Sequence, residues 1–492
     1  MPLIASGDYR PDVSDYEGQA TQNILNVLPR GDGYGPFPSF TAYTSPLPSA
    51  CRGAFYALKS DGTVVTFAGT SDKLYQLDNT SYGWIDVSLG GGTYGALTAT
   101  AQWQFAQTGN LVFATQANAV LQVFDLTSST TFTNALGSPP QAGYISVVGQ
   151  FLVLSGLLSA PYRIQWSGLD SFNASTSWTS GINSSDFQDF PDGGIVRGVA
   201  GGESGIIFQD QAIRSMSFVP GSPIIFQIDR ITQDKGLFAP YSIIRAAEKI
   251  FFYAGQGFHK IEPGGVPEPI GRERVDRTFL ADLDKGNLQL FMGTADPRST
   301  RVYWAYKSVA GSSGTYDKIL GYDFLLDRFF PIEITGEYLL GISQTGLTLE
   351  NLDALAPGGS LDAMALSLDA YATAVQPELG QFSNAHGLGF FRGPNLEATI
   401  ESAEQGGDDN RITIRGFRPI TDTATLFGSV SYRDTQAAPA AAGTEVALNA
   451  RSGRCDMRRD TRYARFKARI PESTPWTFFA GVVPDVVTGG AL

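Results

Sequence analysis

The chain has 492 residues, 42% of them apolar, and a formal net charge of −13. That length exceeds a single-core domain and that apolar content excludes wholesale disorder, so several domains or one large closed repeat are expected. The acidic balance argues against attractive nucleic-acid binding, which needs clustered Lys and Arg, but not against nucleic acid passing by without sticking.

The 56 Gly, 27 Pro, 32 Phe and 20 Tyr point to short strands separated by Gly- and Asp-containing turns. Cys51 and Cys455 form neither a disulfide framework nor a zinc spacing, which fits a reducing site of synthesis. The opening MPLIASGDYRPD lacks a basic flank followed by a long apolar run, so no secretory signal is expected. No stretch approaches 18 uninterrupted apolar residues, so no membrane span is expected.

In chain order, residues 1–48 hold few alternating apolar segments and many punctuating residues, including Pro29 to Pro36, and read as an extended N-terminal arm. Residues 49–395 read as a β-propeller. The first unit has Ala54–Leu58, a turn at Ser60–Gly62, Thr63–Ala68, Leu74–Leu77 and Trp84–Val87, the four short strands of one blade. Looser copies contain Trp103–Ala106 with Leu111–Ala114 and Ala119–Phe124, then Ile145–Val148 with Phe151–Leu154 and Arg163–Trp166. Later ones contain Gly205–Phe208 with Ala212–Met216, Lys249–Tyr253 with Gly257–Ile261, and Arg301–Tyr306 with Lys318–Asp323 and Arg328–Phe330. Six or seven blades fit the length, with a loop over residues 355–377 interrupting the last.

Residues 396–492 carry longer amphipathic strands and read as a C-terminal β-sandwich-like domain, making the whole chain all-β. Within Thr461 to Ile470, Tyr463, Arg465, Lys467 and Arg469 point one way while Ala464, Phe466, Ala468 and Ile470 point the other. Residues 391–492 hold 13 Lys and Arg against 12 Asp and Glu, so the acidic excess lies in residues 1–390. The basic stretch Arg451 to Arg469 is either a charged outer face with local ion pairs or an interface with the acidic body of a neighbouring copy, with DNA contact a third option. Arg465, Lys467 and Arg469 are the candidate subunit or adaptor interface.

Motifs for chemistry are sparse. His259 and His386 are the only histidines, and no zincin, nucleophile-elbow or P-loop pattern occurs. Gly90 to Gly95 matches a dinucleotide-binding spacing, but the following Ala96 to Trp103 reads as another strand, not a phosphate-binding helix. Asp186, Asp189 and Asp192 read as a solvated loop between blades, and Ser60 to Thr63 as a plain hairpin turn. No catalytic residue, metal ligand or cofactor-binding residue is assigned.

Several segments together resemble the tail proteins of short-tailed bacteriophages, in particular the nozzle or packaged-DNA-stabilisation group. They are Asn26 to Phe37 with Cys51 to Phe55, Arg163 to Asp170 with Trp178, and Gly205 to Arg214 leading to Ile225-Phe226 and Asp234 to Gly236. Gly257 to His259, Pro269 to Gly271 and the Leu-Asp pairs at Asp353, Asp362 and Asp369 complete the set. The resemblance implies a non-enzymatic homo-oligomer, a hexameric ring at the distal end of a virion tail, synthesised in the host bacterial cytoplasm. Such a ring would hang below a portal-adaptor protein, touch other tail proteins, retain the packaged genome and line its exit without specific DNA binding. The alternatives are a carbohydrate- or receptor-binding propeller, including a tail depolymerase, and a bacterial protein-interaction propeller.

Overall fold

The computed structural model describes residues 3–14, 20–222, 224–343, 377–406 and 410–491. Asp353, Asp362 and Asp369 lie outside them, as does the loop expected over 355–377 except for Pro377.

Among the described residues, seven four-stranded antiparallel sheets follow one another as blades. Blade 1 comprises Ala54–Leu58, Val64–Gly69, Leu74–Leu77 and Trp84–Asp86. Blades 2 to 6 repeat the order, opening on Gln104–Thr108, Ala142–Val148, Val196–Ala200, Ile244–Ala246 and Met292–Ala295. The opening strands are innermost, and blade 7's Tyr338–Ser343 touches both blade 6's Met292–Ala295 and blade 1's Ala54–Leu58, which closes the wheel. Neighbouring blades cover both faces of each second strand, so Val64–Gly69 is buried at every residue and reads as an apolar run without alternation. Apolar clusters fill the seams. Between blades 1 and 2 stands Trp103, fully buried, its indole N–H donating to the Thr70 carbonyl at 2.8 Å.

The opening segment is not an arm. Pro38–Ala42 is the outermost strand of blade 7, pairing Phe40 with Phe391 and Ala42 with Gly389 beside Pro377–Phe382 and Leu388–Asn395. A side chain at Gly389 would meet the Thr41 carbonyl at 2.2 Å, so the approach of these strands requires glycine. Earlier residues join the sandwich. Val27–Arg30 and Gly33–Pro36 extend a sheet with Phe479–Ala491, Asn410–Thr421 and Cys455–Thr461. Ile24–Leu25 flanks the other sheet, which contains Ala398–Glu401, Tyr463–Ile470 and Phe427–Arg433. Extended, Pro- and Gly-punctuated pieces resemble an arm in sequence because their hydrogen-bond partners lie hundreds of residues away.

Asn26 makes the switch between the two sheets at φ 56, a left-handed conformation that Asn tolerates. It also fastens the sandwich to blade 6. Its N–H donates to the Pro331 carbonyl at 3.1 Å, and its side-chain oxygen accepts from the Glu333 N–H at 2.9 Å. The sandwich core, with Phe417 and Phe466 at 5.4 Å, runs without a break into blade 6 at Tyr303, Phe330 and Ile332.

The short helix Asp276–Asp282 lies in the connection between blades 5 and 6. Its cap comes from far away in sequence: Asp12 accepts from the backbone N–H groups of Arg277 and Thr278 at 2.7 and 2.9 Å. Asp276 is largely buried, and desolvation first, then the Asp12 charge, raise its pKa to about 6. The folded state therefore keeps this proton to higher pH than the unfolded chain. Ionisation costs stability as pH rises from about 4, the unfolded value, through about 6. Because the group stays partly solvated, about 1 kcal/mol is expected. Asp276→Asn, which keeps the acceptor for the Phe258 N–H, should stabilise the protein by that amount at pH 7.5 and by nothing at pH 3.5 in urea titrations.

Candidate functional site

The strand Tyr463–Ile470 is central in its sheet, paired with Phe427–Arg433 on one side and Ala398–Glu401 on the other. Ala464, Phe466, Ala468 and Ile470 are each 1% exposed and face the sandwich core, as their alternation required. Arg465, Lys467 and Arg469 lie half-buried on the opposite face. Tyr463 departs from the pattern. It is buried with the Arg433 guanidinium 6.0 Å from its ring centre, and Arg433 is held by Glu404 at 2.5 Å.

The three basic residues are not equivalent. Arg469 is committed within its own domain, to Glu445 at 2.7 Å and Glu397 at 2.9 Å, with its guanidinium 4.7 Å from the Phe427 ring. Hydrogen bonding to Glu445 first, and also to Glu397, holds its proton more tightly than in free arginine. Arg465 lies opposite Ser431, and burial pulls its pKa below the usual arginine value. Lys467 lies opposite Glu401 and Ser429. Nearby, Arg454 is bonded to Asp456 and Asp485, and Arg411 to Asp434 and Asp460. Much of the basic stretch is thus neutralised by acids close in space, and the sheet face that carries Arg465 and Lys467 is the candidate contact.

The other singled-out positions resolve into structure. Asp186 and Asp189 sit on the outermost strand of blade 3, not in a loop, since Asp186–Asp189 pairs with Arg163–Trp166. Asp189 takes a two-pronged bond from Arg163 at 2.7 and 2.9 Å, and Asp192 pairs with Arg214 and Arg230. Asp189 and Asp192 are thus occupied as counter-ions, and Asp186 accepts from the Ser180 hydroxyl at 2.6 Å. Gly90 to Gly95 forms a tight turn, and Ala96 to Trp103 is irregular backbone where a strand was expected; the next strand opens at Gln104. Ser60 to Thr63 is a hairpin turn, with the Asp61 carboxylate accepting from the Thr63 N–H at 2.8 Å.

His259 is a core residue, stacked on Phe252 and bonded to the Gly257 carbonyl at 3.0 Å, its pKa lowered by burial. His386 marks a constellation the sequence hid. Its Nδ1 lies 2.6 Å from Glu337 Oε1, and Glu337 Oε2 accepts from the Cys51 N–H at 2.9 Å, tying blade 7 to the entry of blade 1. Burial pushes the Cys51 thiol far above its ordinary pKa, and its side chain packs in the apolar seam between blades 7 and 1.

The innermost strands of several blades enclose a recess of about 200 Å³, bordered by Gln104, Tyr144, Gly198, Met292 and Tyr338, into whose lining the protein inserts Tyr241. Tyr241, from the turn Pro240–Ser242, stands 5.9 Å from Tyr144 and accepts from the Gln102 N–H at 3.0 Å. A cavity of about 360 Å³ lies between the opening segment and blade 6, bordered by Tyr9, Phe279, Asp282, Tyr306 and Lys318. Its Asp282 is held by Lys318 at 2.8 Å and Tyr306 at 3.0 Å. Among the described residues, no group of three or more His, Cys, Asp or Glu is placed to hold a metal ion, and no helix is long and apolar enough to cross a membrane.

These sheets define a seven-bladed β-propeller with a β-sandwich joined to its sixth blade. No family model and no curated protein matches the chain. Similar solved structures include the RRP9 WD40 repeats, at 9% identity over 61% of this chain and 89% of that one, with a TM-score of 0.37. YCF48 bound to D1 peptide is similar at 10% identity over 63% and 87%, with a TM-score of 0.34. A functionally unknown protein from Desulfotomaculum acetoxidans DSM 771 is similar at 9% identity over 57% and 84%, with a TM-score of 0.34. At these scores the likenesses transfer no activity and no partner, and the fold rests on the strand pairing.

Proposed function

We propose that the chain is a non-catalytic interaction propeller, a stiff wheel that joins copies of itself and neighbouring proteins. The observation that carries this reading is the placement of Arg465 and Lys467 on the outer face of a central sandwich strand, in a chain whose first 390 residues hold the acidic excess. Head-to-tail pairing of two unlike patches is how cyclic homo-oligomers close. The sequence resemblance supports a finer reading, a six-fold ring in the virion tail of a short-tailed phage. It would sit below the portal adaptor and retain and release DNA that does not bind it. A bacterial protein-interaction scaffold is the second reading, supported by the propeller fold itself, and the presence or absence of neighbouring portal and capsid genes separates the two.

Exposed ion pairs contribute at most about 1 kcal/mol each, but a ring repeats them at every interface. Arg465→Ser combined with Lys467→Ser should leave the chain folded and weaken assembly severalfold at low salt, as higher salt should weaken the wild type. Arg469→Ser should instead loosen the sandwich, because it breaks the bonds to Glu397 and Glu445. Equal assembly of the double variant and the wild type at low and high salt, measured by sedimentation velocity, would reduce the patch to a solvated face.

A further inference from the structure

In a chain that is 17% charged, residues 87–162 contain a single charged side chain, Asp125. The fold gathers this neutrality onto one rim. In an antiparallel blade the first strand starts, the second ends, the third starts and the fourth ends on the same side. Turns between second and third strands therefore share a rim with the links between blades. Residues 88–103, 116–121, 135–141 and 158–162 are four such connections, spanning blades 1 to 3. Asp125 ends a third strand and so lies on the opposite rim.

The four connections form one continuous surface. Gln116 and Asn118 donate their amides to the carbonyls of Gly95 and Ala96, and the Leu158 N–H donates to the Gln141 carbonyl at 3.0 Å. On this surface stand Leu89, Val120, Leu136, Leu158 and Tyr162, between 38% and 61% exposed. A recess of about 290 Å³, bordered by Thr98, Tyr144, Leu158 and Tyr241, opens beside them. The cations at its border are engaged: Lys73 with Asp86 at 2.5 Å, Arg163 with Asp189 at 2.7 Å, Arg197 with Asp210 at 2.6 Å, and Arg52 with the carbonyls of Thr98, Ala99 and Ala101.

We propose that this uncharged crescent is a docking surface for the same crescent on a second copy of the chain. A charged partner surface would be desolvated here without a counter-charge, which is costly, so the complement must also be uncharged and partly apolar. A second copy supplies that complement by two-fold symmetry. Elsewhere an acidic surface repels its own copies, and here they can meet without opposing charges. Exposed leucines, in place of a run of Trp and Tyr, favour a protein over a sugar surface.

Salt distinguishes this contact from the basic strand, because an apolar contact survives the screening that removes ionic ones. Sedimentation equilibrium in about 0.5 M sodium chloride should show pairs of wild-type chains. Leu136→Arg combined with Leu158→Arg should weaken pairing by about tenfold or more, with unchanged melting. Val266→Arg, at an exposed apolar residue in the third-to-fourth turn of blade 5 on the opposite rim, is the control and should pair like the wild type. A wild type that stays monomeric at high salt, or a double variant that pairs as tightly as wild type, would overturn the proposal, whatever the fate of the ionic contact.

Discussion

Deleting residues 1–42 is expected to abolish cooperative folding. The deletion removes the outermost strand of blade 7, leaving the edge of Leu388–Asn395 unpaired where Phe390 is 2% exposed. It takes Ile24–Leu25, Val27–Arg30 and Gly33–Pro36 out of the two sandwich sheets. It also removes the Asp12 cap from the helix between blades 5 and 6. An unpaired edge, buried polar groups left without partners and opened apolar seams act together, and their combined cost exceeds the roughly 5–15 kcal/mol by which a native protein is stable. The expected outcome is aggregated or expanded protein without a sharp calorimetric transition. A soluble truncated chain that melts within a few degrees of the full one would show that the wheel closes without its opening strand.

The largest single-residue effect is expected at Trp304 in blade 6. Its side chain is fully buried, its indole N–H donates to the Ser242 carbonyl at 3.0 Å, and its ring lies 4.6 Å from Phe258. Trp304→Ala empties a seam between blades 5 and 6 and leaves that carbonyl without its donor, so about 3–5 kcal/mol should be lost. Leu325→Ala in the same blade, at a residue 75% exposed, should change stability by less than about 0.5 kcal/mol. Urea denaturation of both variants measures the contrast, and equal midpoints would contradict the seam packing.

Where sequence and structure agree, the signal was local. Val64–Gly69 and Phe151–Leu157 are apolar runs bounded by turns, and the core face of Tyr463–Ile470 is written in its alternation. What escaped the sequence depends on distant pairing. Pro38–Ala42 has no pattern of its own and becomes a strand only because Leu388–Asn395 offers an edge. Glu397 and Glu445 flank Arg469 only after three strands have been laid side by side. The irregular path of Ala96 to Trp103 is set by tertiary anchors, Arg52 on its carbonyls and the Trp103 N–H on the Arg52 carbonyl, which override its strand-like composition.

On the function proposed above, this wheel works only when joined to others. Negative-stain electron microscopy of the purified full-length chain at low salt measures it most directly. Closed rings or regular multimers of propeller-sized particles are the expected result. A field of single propellers at every salt and protein concentration tried would contradict it.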